Sequence, residues 1–309
     1  MATSVRQMAV LVLGLVVLSS GCATRTGEQS IDQSPPALDN VEKLTNSQDI
    51  ALPLDFYRAT KEQRAVIATA KDLATRDCLR RFGFDWKVVE HTGAQPPSRR
   101  YGIGDLTEVS KYGYHLPPDY PVRNEQPKEI ESESARKTDK TAINIVLNGH
   151  ETFVPNSNEK VPEGGCHGEA RRSLGVTDSA EGTGQFDSVE LAPVLDSEAA
   201  HLTEKDPRLL DAFGRWSECM NRAGYHYHDP WEANDDRAWG GETASAREIS
   251  TAVADLRCRQ EHNVAGLYFA IETAYQNRLI DRHAELLRQQ KAQLEERIRV
   301  AHKVVANTR

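Results

Sequence analysis

Apolar residues recur at helical spacing in several long stretches of this chain. Val66, Ile67, Ala70, Leu73, Ala74 and Cys78 step by threes and fours, which predicts a helix with Cys78 on or beside its buried stripe. Thr60-Lys61-Glu62-Gln63 has the form of a capping box at its start, and Gly83 ends it as a left-handed cap with Phe84 folded back. Leu209, Phe213, Trp216 and Met220 predict a second helix, opened by Asp206-Pro207 and closed by Gly224. Ser245-Ala246-Arg247-Glu248 opens a third, expected to be the longest. Its first stripe is Ile249, Val253, Leu256, Leu267, Ile271 and Ala274. A heptad-like seam then runs through Ile280, Ala284, Leu287, Leu294, Ile298, Ala301 and Val305, broken by Lys291. Such a seam needs a partner, either the body of this chain or a second molecule.

Elsewhere the period changes. Ile143, Ile145 and Leu147, then Asn148-Gly149, then Thr152, Phe153 and Val154 predict a small β-hairpin, because Asn-Gly allows the positive φ angles of a two-residue turn. A short helix is expected between Asp105 and Gly113, and another from Cys166 to about Leu174. Residues 22–52 are polar and apolar-poor, the composition of a flexible tether, and residues 177–196 read as a linker. The resulting fold class is mainly α. It has two related halves (53–176 with the hairpin, 197–309 with the long C-terminal helix) behind a leader at 1–21.

The halves are related by a repeated phrase. Cys78-Leu79-Arg80-Arg81-Phe82-Gly83-Phe84-Asp85-Trp86 and Cys219-Met220-Asn221-Arg222-Ala223-Gly224-Tyr225-His226-Tyr227 share cysteine, aliphatic, arginine, glycine and aromatic positions. Each is followed by a second cysteine with a glutamate three residues on, Cys166 with Glu169 and Cys258 with Glu261. The parsimonious pairing is Cys78–Cys166 and Cys219–Cys258, with pairing between the halves as the alternative. On a helix, residues three apart share a face. Closing the bridges within each half should therefore bring Arg81 to Glu169 and Arg222 to Glu261.

The N-terminus suggests the compartment. Arg6 precedes an apolar run over residues 8–18, too short to span a membrane, and Ser19-Ser20-Gly21 leads into Cys22. This resembles the signal peptide and lipobox of a bacterial lipoprotein precursor, although Ser19 stands where an aliphatic residue is usual. The resemblance implies that Cys22 becomes the first residue, carries the lipid (diacylglycerol and palmitate), and anchors the chain on the extracytoplasmic face of the cell membrane. With Cys22 so used, four cysteines remain of the five, an even number suited to disulfides in an oxidising compartment. The formal charge of −8 becomes about −9 once Arg6 leaves with the leader, which argues against nucleic-acid binding.

The repeated phrase, with Val161-Pro162-Glu163-Gly164-Gly165-Cys166, Ala254-Asp255-Leu256-Arg257-Cys258 and Glu272-Thr273-Ala274-Tyr275-Gln276, resembles a family of actinobacterial exported lipoproteins of unknown function. The resemblance covers most of the mature chain. It implies the compartment and a stapled helical fold, and it carries no catalytic residue.

Motifs for chemistry are few. No Gly-x-Ser-x-Gly elbow, Walker loop or dinucleotide fingerprint occurs, and no cofactor is expected. His226 and His228 could form half of a metal site but lack a third ligand, so no metal is expected either. The more suggestive group is Arg80, Arg81, Arg99, Arg100 and Tyr101 with Phe84 and Trp86. Guanidinium groups suit phosphate or carboxylate, and flat rings suit sugars, so Arg80, Arg99, Arg100, Tyr101 and Trp86 are candidate contacts for an anionic envelope polymer or a sugar. The opposing reading packs the rings into the core and pairs the arginines. The expected function is a non-enzymatic binding or scaffolding role at the envelope. The alternative is an accessory subunit of a membrane transport or export complex, engaged through the C-terminal helix, which could equally self-associate. An envelope hydrolase is the least favoured class.

Overall fold

α1 (Lys61–Arg81) starts where Thr60 Oγ1 accepts from the amide of Gln63 and Gln63 Oε1 accepts in return from the amide of Thr60, at 3.2 and 2.9 Å. The computed structural model describes residues 34–44, 50–89, 91, 98–118, 137–153, 159–176 and 190–307. Cys22 and the leader lie outside the described residues. Among the described residues the fold is helical: α1 is followed by α2 (Leu106–Tyr112), α3 (Lys137–Asn148), α4 (Gly165–Ser173), α5 (Leu191–Glu204), α6 (Pro207–Arg222), α7 (Pro230–Asn234), α8 (Ala246–Glu261) and α9 (Val264–Asn307). No helix among these residues is long and apolar enough to cross a membrane.

The β-hairpin expected over residues 143–154 does not form. Residues 137–148 are α3, and among the described residues nearby the β-bridge present is an isolated pair between Phe153 and Lys160. Ile143, Val146 and Leu147 share a helical face as readily as Ile143, Ile145 and Leu147 share a strand face, and burial of Val146 and Leu147 decides for the helix. Asn148-Gly149 is then a helix end. Gly149 has φ 70° and its amide donates to the carbonyl of Ile145 at 2.7 Å. A side chain at Gly149 would also meet the backbone of Gly164 and Gly165, where α4 begins.

The described residues of the segments read as tether and linker are ordered on the body. Residues 36–44 run along the body: Arg208 Nη1 donates to the carbonyl of Pro36 at 2.9 Å, and Asn263 Nδ2 to that of Glu42 at 3.1 Å. Residues 191–196, placed in the linker, are the first turns of α5, whose Ala192, Leu195 and Ala199 are buried. The single long helix expected from Ser245 onward is two helices. Asn263 adopts φ 48° between α8 and α9, a conformation that asparagine tolerates. Within α9, helical geometry is interrupted at His283 (φ −113°, ψ 18°).

α9 is the element on which most of the chain is assembled, since α1, α5, α6 and the 3₁₀ turn Pro53–Tyr57 all pack along it. The seam is covered within the chain: Leu287, Leu294 and Ala301 are buried, and Ala301 sits against Ala70 and Leu174 with Val66 and Ile67 alongside. Lys291, the break in that seam, lies over the ring of Phe56 at 5.0 Å. The two halves read in the sequence are not separate bodies. From Pro36 onward the chain is one unit, and Leu54, Tyr101, Ile103, Val109 and Tyr114 share a core with Trp216, Met220, Leu256 and Ile271.

Candidate functional site

The structure joins Cys78 to Cys166 and Cys219 to Cys258. Beside the first bridge Arg81 Nη2 lies 2.6 Å from Glu169 Oε2; beside the second Arg222 Nη2 lies 3.5 Å from Glu261 Oε1. Both pairs are largely exposed, so they orient the helix ends more than they stabilise them. The repeated phrase is thus the end of a helix in both copies, with the cysteine buried and the arginine turned towards the partner helix.

The residues read as an anion or sugar cradle do not converge. Arg80 is exposed and 3.7 Å from Asp77. Trp86 and Phe84 pack on the small core under the first disulfide, Trp86 edge-on to His167 at 5.9 Å. Arg99 donates to the carbonyls of Tyr114 and His115 at 2.6 and 3.0 Å and to Glu108. Arg100 Nε donates to both oxygens of Glu272 at 2.9 and 3.0 Å, Nη2 to Glu272 and Asp196, and Nη1 to Asp196 at 3.2 Å. Tyr101 donates its hydroxyl to Glu272 Oε2 at 2.7 Å. Burial opposes the Arg100 charge, but the hydrogen bonds and charge of Glu272 outweigh it and, with Asp196, raise its pKa above the ordinary value. Burial first, then Glu272, also raises that of Tyr101, which stays a neutral donor.

Of those five residues, Arg100 reaches an open cleft, while Tyr101 borders a small cavity of about 20 Å³. Arg100 borders an open cleft of about 410 Å³ together with Asp196, Ser197 and Glu204 of α5, Trp231 of α7 and Tyr268 of α9. Tyr268 and Trp231 meet edge to face, ring centroids 6.5 Å apart, and Arg259 lies 5.5 Å from the centre of the Trp231 ring. Of the five N–H groups of a guanidinium, four of Arg100 are engaged by Glu272 and Asp196, which leaves one Nη1 N–H. Glu204 is exposed and makes no ion pair among the described residues. Tyr268 has its pKa raised, by burial first and then by Glu204 and Glu272, so its hydroxyl is neutral. Ser197 donates to the carbonyl of Pro193 at 3.1 Å and keeps its lone pairs for another donor. Donors, acceptors and aromatic surface are thus mixed along one cleft, the complement of a molecule with hydroxyls on its rim and C–H groups on its faces.

Behind the cleft the polar groups are closed off. Trp216 Nε1 donates to Asp255 Oδ1 at 2.8 Å, Arg259 Nε to the same oxygen at 2.6 Å, and Tyr114 to Asp255 Oδ2 at 3.2 Å. Glu248, expected to close a capping box with Ser245, instead accepts from the amide of Tyr114 and faces His115 Nδ1 at 2.7 Å. The sequence offers none of Glu272, Asp196, Asp255 and Glu248 as a site residue: Glu248 reads as part of a helix start, and Asp255 and Glu272 stand in motifs that carry no catalytic residue. Their signal was position: Glu272 and Gln276 stand on the same α9 stripe as Tyr268, Ile271, Tyr275 and Leu279, where a carboxylate needs a partner.

His226 is exposed and bonded to Asn221 at 2.6 Å, away from any cluster of ligands. Among the described residues the one group of three or more metal-ligating side chains is Cys219, Glu261 and His262, and its sulfur is spent in a disulfide. No protein-family model matches the chain, and no curated protein or solved structure matches it either.

Proposed function

We propose that this chain is a lipid-anchored, extracytoplasmic binding protein of the cell envelope, without catalytic turnover, whose ligand is a saccharide segment held in the cleft between α5, α7 and α9. The observation that carries this reading is the cleft itself. It combines one unspent N–H of Arg100, the neutral hydroxyl of Tyr268, the carboxylate of Glu204, which has no ion pair among the described residues, and the ring of Trp231 in a volume of about 410 Å³. Cleft sites of about 300–1,000 Å³ with a few convergent polar groups are the usual form of small-ligand sites. Two disulfides support an oxidising compartment. The Gly21-Cys22 junction after a short apolar run supports lipidation.

Both parts are testable together. Cells fed a palmitate analogue should label the wild-type chain and not Cys22→Ser, with the labelled protein in the membrane fraction. Soluble envelope oligosaccharides incubated with the purified chain should quench tryptophan fluorescence and be recovered intact. Cleavage of the oligosaccharide would replace the binding role with an enzymatic one, and an unlabelled, soluble wild-type chain would remove the anchor.

A further inference from the structure

A second concavity lies on the other side of α9, where residues 36–44 cross it. It holds about 650 Å³, and its floor is Phe269, Ala270 and Ala274. Asp39 and Glu42 from the crossing segment and Asp281 from α9 supply three carboxylates to its lining. The one cation among the lining residues is Arg278, and its guanidinium lies over the ring of Tyr275 at 5.8 Å. Thr273, also on the lining, has a buried Oγ1 with no hydrogen-bond partner among the described residues. An apolar floor under an acidic rim attracts a molecule with an apolar body and a positive charge, and repels its anionic counterpart.

The crossing segment is fastened at both ends and in the middle. The carbonyls of Pro36 and Glu42 accept from Arg208 and Asn263, and Leu38 packs on the main core. The Glu42 carbonyl approaches α9 so closely that a side chain at Gly266 would overlap it. Glycine at 266 therefore lets the segment lie down and complete the groove. Tyr268 and Phe269, adjacent on α9, serve different concavities: Tyr268 borders the saccharide cleft and Phe269 this groove, and both touch the ring of Tyr101, at 5.0 and 6.1 Å.

We propose that the groove between residues 37–42 and α9 is a second binding site, separate from the cleft, and that it takes a small amphiphilic amine. The apolar body lies on Phe269, Ala270 and Ala274. The ammonium group sits on the acidic rim at Asp39, with Glu42 and Asp281 adding negative charge towards the two ends of the groove.

Hexylammonium and hexanoate, equal in length and opposite in charge, are suitable probes on the full chain with its disulfides intact. Titration followed by backbone amide shifts should place hexylammonium at residues 269–274 and 37–42. Its affinity should exceed that of hexanoate by about tenfold or more, the scale of a charge preference in a half-buried site. Asp39→Asn with Asp281→Asn should remove that preference, and neither change touches the core. Gly266→Ala should weaken hexylammonium binding by lifting the crossing segment. Equal affinity for the two probes, an undiminished preference in the Asp39→Asn, Asp281→Asn protein, or no shifts at millimolar hexylammonium would each overturn the proposal. None of these outcomes bears on the Arg100 cleft, whose ligand is tested by its own variants.

Discussion

Arg100 and Glu272, 172 residues apart in sequence, are joined by hydrogen bonds from Nε to both carboxylate oxygens. Glu272 has no solvent exposure, while the Arg100 side chain is 31 % exposed. Removing one partner of a buried pair costs about 3–5 kcal/mol, and the exposure of Arg100 places this pair at about the lower figure. Glu272→Gln should therefore lose roughly 2–3 kcal/mol in urea unfolding. Pairing it with Arg100→Met should recover part of that loss. A loss under about 0.5 kcal/mol, the scale of a surface pair, would contradict the buried network.

The two disulfides close loops of different length and staple different cores. Cys78–Cys166 spans 88 residues and sits over the small core of Leu79, Val146, Leu147 and Val161. Cys219–Cys258 spans 39 and lies in the main core. Loop-closure entropy assigns them about 4.6 and 3.9 kcal/mol respectively. The energies are close, but the consequences should differ. Cys78→Ser with Cys166→Ser should raise hydrogen exchange in α3 and α4 first, leaving α6, α8 and the first half of α9 protected. Uniform loss of protection would show that the small core does not open by itself.

His115 joins the end of α2 to the start of α8 through two acceptors. Nδ1 faces Glu248 at 2.7 Å, and Nε2 faces the carbonyl of Gly241 at 2.9 Å. Both nitrogens can donate only when the ring is protonated. The Gly241 carbonyl first, then Glu248, raise its pKa, against opposition from burial and Arg99. A raised pKa in the folded chain stabilises it below the ordinary value of about 6.5. That contribution is lost as pH rises through the raised value. Melting temperature should therefore fall across that window in the wild type and less in His115→Asn, with the ring titration followed by NMR.

The C-terminal seam is a second test of burial. Leu287 is fully buried and its neighbour Leu286 is 47 % exposed. Leu287→Ala should cost about 2–5 kcal/mol, as cavity-forming core changes do. Leu286→Ala should fall within about 0.5 kcal/mol. Comparable costs at the two positions would show that α9 is not packed in this register. Truncation after residue 281 would uncover Ala70 and Leu174, so the shortened chain should aggregate.

Helix starts were legible where the capping chemistry is local. Thr60, Asp105, Asp206 and Ser245 each accept at the head of the helix they announce. Local signals misled where two periods fit the same residues. Ile143-Asn144-Ile145-Val146-Leu147 alternates and also steps by three and four, and only its packing on α1 and α4 settles the choice. The break at Asn263 left no Gly or Pro in the sequence, and its φ of 48° goes with a bond to a carbonyl 221 residues away. The cleft was legible in one residue of five. Arg100 could be proposed by type, but Trp231, Tyr268 and Glu204 come to it from three helices whose arrangement no local pattern encodes.

The most direct test of saccharide binding is calorimetric titration of the oxidised chain with soluble envelope oligosaccharides, compared across variants of the cleft. The expected result is saturable binding by the wild type, weakened about tenfold or more by Trp231→Ala and by Glu204→Gln, the scale of losing a ring contact or a charged hydrogen bond. Arg80→Ala, on the exposed face of α1, should bind as the wild type does. Undiminished affinity in both cleft variants, or a loss that follows Arg80 instead, would contradict it.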